Sequence, residues 1–253
     1  MTADGDQVFI GWDVGGWNCD KNPASRDALV VLDSAGRQIG QPWRGNLRET
    51  LNAATTTADL LSAILALCKL PLPCTTNATM AIDAPLGFPL AFVRLATGGA
   101  AEPEIGQSST NPYLYRATER RLVAEGVMPL SAVKDMIGSQ STKAMHAVAR
   151  FTDRIAPGVW SDGAQLTVIE TYPALCRWRA RDAFNDRATA TNARESDILD
   201  AEVCARIARD FVQRREWLEP PPSDVPTSEG WIWAPMPEPH KQRHWDGSSN
   251  ADL

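Results

Sequence analysis

A short apolar run that carries one carboxylate and then stops is the feature that most constrains the fold of this chain. Residues 79–89 read Thr-Met-Ala-Ile-Asp-Ala-Pro-Leu-Gly-Phe-Pro. The apolar start is typical of a buried strand, and the prolines and the glycine end that strand directly after Asp83. Ligands bind at the C-terminal ends of strands in open sheets that are covered by helices. Asp83 is therefore a candidate site residue, although Asp is also common in turns.

The start of the chain has a second stretch of the same form. Residues 7–14, QVFIGWDV, predict a strand with Asp13 near its end, and two glycines follow that let the backbone approach a ligand. Residues 27–33 and 37–43 predict two further strands. Because the connections between these strands are short, we expect the first three strands to form an antiparallel meander.

An amphipathic helix over residues 57–70, opened by Thr57 as its cap, precedes the Asp83 strand. A crossover helix usually returns the chain to a parallel strand beside an earlier one. We therefore expect the Asp83 strand to pair in parallel with the Asp13 strand, which makes the two carboxylates neighbours at one end of the sheet.

Two further segments of the chain contribute acidic candidates. Residues 165–172 predict a strand with Glu170 near its end, and residues 196–217 predict a long helix that carries Asp197 and Asp200 in its first turns. These two aspartates are three residues apart and share one helix face, although Asp near a helix start is also a routine capping choice. Between the strands, residues 90–160 predict a mostly helical insertion.

Composition narrows the classes of function. No run approaches the roughly 18 apolar residues of a membrane span, and the first six residues lack the pattern of a signal peptide, so we expect a cytoplasmic protein without a membrane partner. The five cysteines form no CxxC pair and there are only three histidines, which disfavours zinc. A net charge of −6 disfavours electrostatic coating of nucleic acid but is compatible with an enzyme whose acids cluster on metal ions.

Several carboxylates that converge repel one another unless a cation lies between them. Hard oxygen ligands suit Mg²⁺ or Mn²⁺, and two such ions can activate water on one side of a phosphodiester and stabilise the leaving oxygen on the other. The acidic pattern therefore predicts a metal-dependent hydrolase with a carboxylate-bound two-metal mechanism. The expected activity is that of a nuclease or related phosphodiesterase that acts on a nucleic acid or nucleotide. The candidate carboxylates are Asp13, Asp83, Glu170, Asp197 and Asp200.

The order of these elements resembles the ribonuclease H fold, in which acids on the first strand, the fourth strand and the last helix bind the metals. The motifs GWDVGGW, AIDAPLGFP, YRATERRL, VIETYPA, SDILDAEVCARIA and EGWIWAP resemble those of a bacterial domain-of-unknown-function family of predicted nucleases with this fold. The resemblance spans residues 11–235. It implies an α/β domain over residues 1–235 with a mixed five-stranded sheet flanked by helices, and we expect residues 236–253 to be a disordered tail.

Site residues follow from the same resemblance. It implies Asp13, Asp83, Asp197 and Asp200 as metal ligands and Glu170 and Glu119 as further catalytic candidates, although Glu119 could equally be the partner of Arg116. Candidate substrate-binding residues are Arg116, Arg120 and Trp17, and the basic residues Arg121, Arg177, Arg179 and Arg181 could also meet substrate phosphates. One departure is Ser196, where the family often has a histidine that could donate a proton or bind a metal.

Two other classes of function remain open at this point. One is a phosphotransferase of the actin and sugar-kinase type, whose first strand also ends in an Asp followed by glycines; such proteins need two domains and a second phosphate loop. The other is a non-catalytic member that keeps the fold as a nucleotide or nucleic-acid binding module. The loss of the histidine at position 196 and the acidic net charge favour the binding module.

Overall fold

The strand that carries Asp83 pairs in parallel with the strand that carries Asp13, as the sequence predicts. The computed structural model describes residues 7–71, 73, 76–184 and 190–237, and its sheet has seven strands within these ranges, in the order β3-β2-β1-β4-β7-β6-β5. The strands are β1 (Gln7–Asp13), β2 (Asp27–Leu32), β3 (Gln38–Gly45), β4 (Asn77–Asp83), β5 (Asp153–Ala156), β6 (Val159–Ser161) and β7 (Leu166–Glu170).

Strand directions make the sheet mixed. The first three strands form the expected antiparallel meander, because β1 pairs with β2 and β2 pairs with β3 in opposite directions. Strand β4 is parallel to β1 on one side and to β7 on the other. The C-terminal ends of β1, β4 and β7 therefore lie side by side at one edge of the sheet.

The expected count of five strands is wrong, because two short strands extend the sheet beyond β7. Strands β5 and β6 form an antiparallel hairpin, and β6 pairs with β7. The hairpin turns at Gly158, whose φ of +66° is one that L side chains rarely adopt. Strand β5 is mostly exposed and lacks an apolar alternation, so the sequence gives no strand signal there. The insertion expected over residues 90–160 has three α-helices, over residues 90–98, 117–124 and 138–151, with loops between them, and its last part forms β5 and the start of β6.

Helices cover both faces of the sheet. They are α1 (Arg48–Ala53), α2 (Thr57–Leu67), α3 (Leu90–Gly98), α4 (Ala117–Ala124), α5 (Gly138–Phe151), α6 (Pro173–Arg179), α7 (Arg181–Phe184) and α8 (Ala193–Gln213). Helices α1, α2 and α5 pack with Ile10, Trp12, Met80 and Ile82 on one face. Helix α8 packs with Phe9 and Ala81 on the other face. Because side chains alternate along a strand, residues 11 and 13 of β1 and residue 83 of β4 face α8.

The cap of α2 is Thr56 rather than Thr57. The hydroxyl of Thr56 accepts a hydrogen bond from the backbone N–H of Asp59 at 3.1 Å, and the carboxylate of Asp59 accepts one from the backbone N–H of Thr56 at 3.0 Å. This reciprocal pair is a capping box. Three consecutive threonines, residues 55–57, lie just before Asp59, and the capping box forms with the threonine that is three residues before Asp59. The apolar pattern of the helix does not show which of the three threonines is the cap.

The C-terminal segment packs against the α8 side of the sheet. Trp231 and Trp233 are buried there, and Ile232 forms a parallel bridge with Glu170. Residues 238–253 of the expected disordered tail lie outside the described residues. No helix within the described ranges combines the length and the apolar character that a bilayer crossing requires.

Candidate active site

Asp13 and Asp83 stand next to each other at the carboxyl ends of two parallel strands. They are direct partners in the register of β1 and β4, and both side chains face α8 and are half-buried. Neighbouring strands lie about 4.8 Å apart. Within the described part of the chain, neither carboxylate accepts a hydrogen bond or forms an ion pair. Two unbalanced carboxylates therefore adjoin at this edge of the sheet.

Asp200 reaches the same place because α8 lies directly on the backbone of β1. A Cβ atom at Gly11 would come within 1.7 Å of the carbonyl oxygen of Ala201, so only glycine permits this approach. Gly11 is two residues before Asp13 and on the same face of the strand, and Ala201 directly follows Asp200 on the helix. The contact between Gly11 and Ala201 therefore places Asp200 close to Asp13. We call Asp13, Asp83 and Asp200 the acidic cluster.

The electrostatics of the acidic cluster reflect burial and mutual repulsion. Burial is the largest cause that raises the pKa of Asp13 well above its ordinary value, and the charges of Asp200 and Asp83 raise it further. Burial also raises the pKa of Asp83, with Asp200 as the next cause, while Arg177 acts in the opposite direction. A cation placed between these carboxylates would relieve both effects.

Asp200 and Asp197 differ from the other two because each already has an arginine partner. The guanidinium of Arg177 on α6 donates to Oδ1 of Asp200. The carboxylate of Asp197 accepts a hydrogen bond from Nε of Arg44 at 2.6 Å and one from the backbone N–H of Arg26 at 3.2 Å. Asp197 thus lies one helical turn from the acidic cluster and is bound to β3 and to the segment before β2.

Glu119 and Glu170 belong to a separate buried network around Arg116. Arg116 donates from Nε to Glu119 at 3.0 Å and from Nη1 to Glu170 at 2.8 Å, and its side chain is 1% exposed. Glu170 also accepts a hydrogen bond from the backbone N–H of Leu86 at 2.8 Å. The network therefore holds the loop that follows Asp83, and in this conformation the guanidinium of Arg116 is not accessible to a substrate phosphate.

The other candidate substrate contacts lie at the surface. Arg120 is half-buried and donates to the backbone carbonyl of Tyr115 at 2.7 Å. The half-buried Trp17 follows the glycine pair after Asp13, and its indole N–H donates to Thr142 on α5 at 3.1 Å. Trp17 is thus held in place near the end of β1, whereas Trp12 is a core residue.

A fully buried ion pair beneath the site was not predicted from the sequence. Lys143 of α5 and Asp27 of β2 are both 0% exposed and bind each other. Asp27 also accepts hydrogen bonds from the indole N–H of Trp12 at 3.1 Å and the backbone N–H of Gly15 at 2.9 Å. The pair fixes the turn that follows Asp13. The sequence does indicate the burial of Lys143, because Lys143 lies on the same face of the helix as Ala147 and Phe151, which are buried.

Among the described residues, no group of three or more His, Cys, Asp and Glu side chains is arranged to hold a metal ion. Mg²⁺ is commonly held by only one or two carboxylates together with waters and substrate phosphates. Asp13 and Asp83 provide two such carboxylates without a protein partner. The donor set at the acidic cluster therefore fits Mg²⁺ or Mn²⁺.

Comparison of the chain with models of known protein families, with curated proteins and with solved structures found no match.

Proposed function

We propose that this protein is a Mg²⁺- or Mn²⁺-dependent phosphodiesterase that hydrolyses phosphodiester bonds of a nucleic acid or nucleotide. The observation that carries the proposal is the in-register pair of Asp13 and Asp83, which has no balancing partner among the described residues and which Asp200 adjoins. Three carboxylates and the single guanidinium of Arg177 have a net charge of −2 when all are ionised, which one divalent cation balances.

The arrangement of the sheet supports a ribonuclease H-like fold within the broader α/β class. The order β3-β2-β1-β4-β7, with an antiparallel meander followed by two parallel strands, is the arrangement that the resemblance of the sequence implies. Helix α8 is the last long helix, and its Asp200 lies at the same sheet edge as the acids of β1 and β4. The hairpin of β5 and β6 is then an addition at the β7 edge.

In this proposal the acidic cluster provides the metal ligands, and a phosphate ester is the group that water attacks. Asp13 and Asp83 would hold the cation, which when bound lowers the pKa of a water and draws negative charge from the phosphate. Hydrolysis adds the water oxygen to phosphorus, breaks one P–O ester bond and transfers a proton to the departing oxygen. The attacking water supplies this proton.

Trp17 supports a nucleotide as the substrate. Its indole is half-exposed four residues after Asp13, and bonds to Ser139 and Thr142 fix its backbone and its ring. A base that stacks on an immobilised aromatic ring gains about 1–3 kcal/mol. The net charge of −6 is consistent with recognition of a short segment rather than of a long polyanion.

The test is hydrolysis of a mixed panel under Mg²⁺ and Mn²⁺. The panel contains single- and double-stranded DNA, RNA, an RNA–DNA hybrid, a branched junction and small phosphodiesters. Wild type runs beside Asp83→Asn, with Asp33→Asn as the matched control because Asp33 is an aspartate paired with Arg37 on a distant turn. The proposal expects cleavage by wild type and Asp33→Asn and none by Asp83→Asn. Equal cleavage by all three proteins would rule out the acidic cluster as the catalytic site.

A further inference from the structure

Arg177 is the basic side chain that binds to the acidic cluster. Its Nη1 donates to Oδ1 of Asp200, and the two side chains are 26% and 25% exposed. Within the described residues, the guanidinium of Arg177 donates a hydrogen bond to Asp200 alone. A guanidinium has five N–H donors, so the others can bind a further anion. Helix α6, which carries Arg177, begins three residues after the end of β7, and this connection keeps the guanidinium at the catalytic edge of the sheet.

Two of the four predicted metal ligands form ion pairs with arginines. Asp200 is bound to Arg177, and Asp197 is bound to Arg44 in a pair whose side chains are both 11% exposed. Asp13 and Asp83 have no such partner in the part of the chain that the structure describes. The charge that remains to be balanced is therefore that of two adjacent carboxylates, which matches one divalent cation.

We propose that the site binds a single divalent cation, between Asp13 and Asp83, and that Arg177 supplies the positive charge that a second metal ion provides in a two-metal site. This inference rests on the proposed function and narrows it. The ions of a two-metal site lie about 3.5–4 Å apart and share carboxylates. A second ion here would need the oxygens of Asp200 and would lie beside the guanidinium, where like charges repel. The planar guanidinium is also suited to bind two oxygens of a phosphate.

The test is the stoichiometry of Mn²⁺ binding, measured by titration calorimetry and by electron paramagnetic resonance on the full chain at low salt. Wild type is compared with Arg177→Gln, which removes the charge, and with Arg177→Lys, which keeps it. Arg37→Gln is the matched control, because Arg37 is exposed on the turn after β2, at the opposite end of that strand from the acidic cluster, and its removal changes the net charge equally. Circular dichroism verifies that each variant is folded.

The inference expects one Mn²⁺ per chain in wild type, in Arg177→Lys and in Arg37→Gln. Arg177→Gln frees Asp200, so we expect it to bind a second Mn²⁺ or to bind the first at least about fivefold more tightly. Inorganic phosphate titrated into the Mn²⁺-loaded protein should bind about tenfold more weakly to Arg177→Gln, as expected for the loss of one charge-assisted hydrogen bond.

Three results would overturn the inference, and they separate it from the proposed function. Two Mn²⁺ ions in wild type would exclude the role of Arg177 while leaving the metal-dependent hydrolase intact. Unchanged stoichiometry and affinity in Arg177→Gln would exclude competition between Arg177 and a metal for Asp200. No Mn²⁺ binding to wild type would overturn both this inference and the proposed function.

Discussion

Replacement of Asp83 by Asn should stabilise the metal-free protein near neutral pH. Burial and the charge of Asp200 raise the pKa of Asp83 in the folded protein above its value in the unfolded chain. Between those two pKa values the native state holds more protons than the unfolded state, so the free energy of unfolding falls as the pH rises. Above the folded pKa, the ionised cluster destabilises the fold, and the neutral amide removes one of its charges.

The size of the effect follows from the spacing of the strands. Two unit charges about 5 Å apart repel by roughly 3 kcal/mol at an effective dielectric constant of about 20. Because both carboxylates are partly open to solvent and the charge of Arg177 opposes the shift at Asp83, we discount this to about 1–2 kcal/mol. For a chain of this length, each kcal/mol shifts the Tm by about 2–4 °C. Asp83→Asn should therefore raise the Tm at pH 8 by roughly 2–8 °C.

The assay is thermal unfolding in EDTA between pH 5 and pH 8, followed by circular dichroism. The gap in Tm between Asp83→Asn and wild type should narrow as the pH falls. Mn²⁺ should raise the Tm of wild type and have a smaller effect on the variant. Asp33→Asn should not stabilise, because its partner Arg37 holds the pKa of Asp33 below its usual range. A variant that is less stable than wild type at pH 8 in EDTA would refute the account of the cluster as an unbalanced set of charges.

Three further substitutions test the supports of the site. Gly11→Val should destabilise the fold by at least about 3 kcal/mol and weaken Mn²⁺ binding, because the Cβ atom of the valine would meet the backbone of α8. Calorimetry that finds neither change would contradict this. Lys143→Met should cost about 3–5 kcal/mol in urea unfolding, since it leaves Asp27 buried and unpaired, and adding Asp27→Asn should restore part of the loss. Arg116→Met should destabilise the fold by a similar amount, because it removes the shared ion-pair partner of the buried Glu119 and Glu170; a near-neutral result in urea unfolding would contradict this.

The ends of the central strands could be predicted from the sequence because the signal is local. Asp13 and Asp83 each close an apolar run, and glycine or proline follows within two residues. The crossover rule then predicts their parallel pairing, which the structure has in exact register for the two aspartates. Helix α8 was also predictable, since its apolar stripe repeats with helical period over several turns.

The partners of the acids could not be predicted, because they come from distant segments. Arg44 and Asp197 are 153 residues apart, and Arg177 and Asp200 are 23 residues apart on different helices. Sequence spacing carries no information about such pairs. The buried position of Lys143 was readable from the helical stripe of α5, but its partner lies 116 residues earlier in the chain.

The most direct test of the central claim is an anomalous difference map from a crystal of the protein soaked in Mn²⁺. The account predicts a peak at the C-terminal edge of β1 and β4, within about 2.0–2.3 Å of a carboxylate oxygen of both Asp13 and Asp83. The same soak of an Asp83→Asn crystal should lose that peak. A wild-type map at saturating Mn²⁺ with no peak between these two carboxylates would contradict the account.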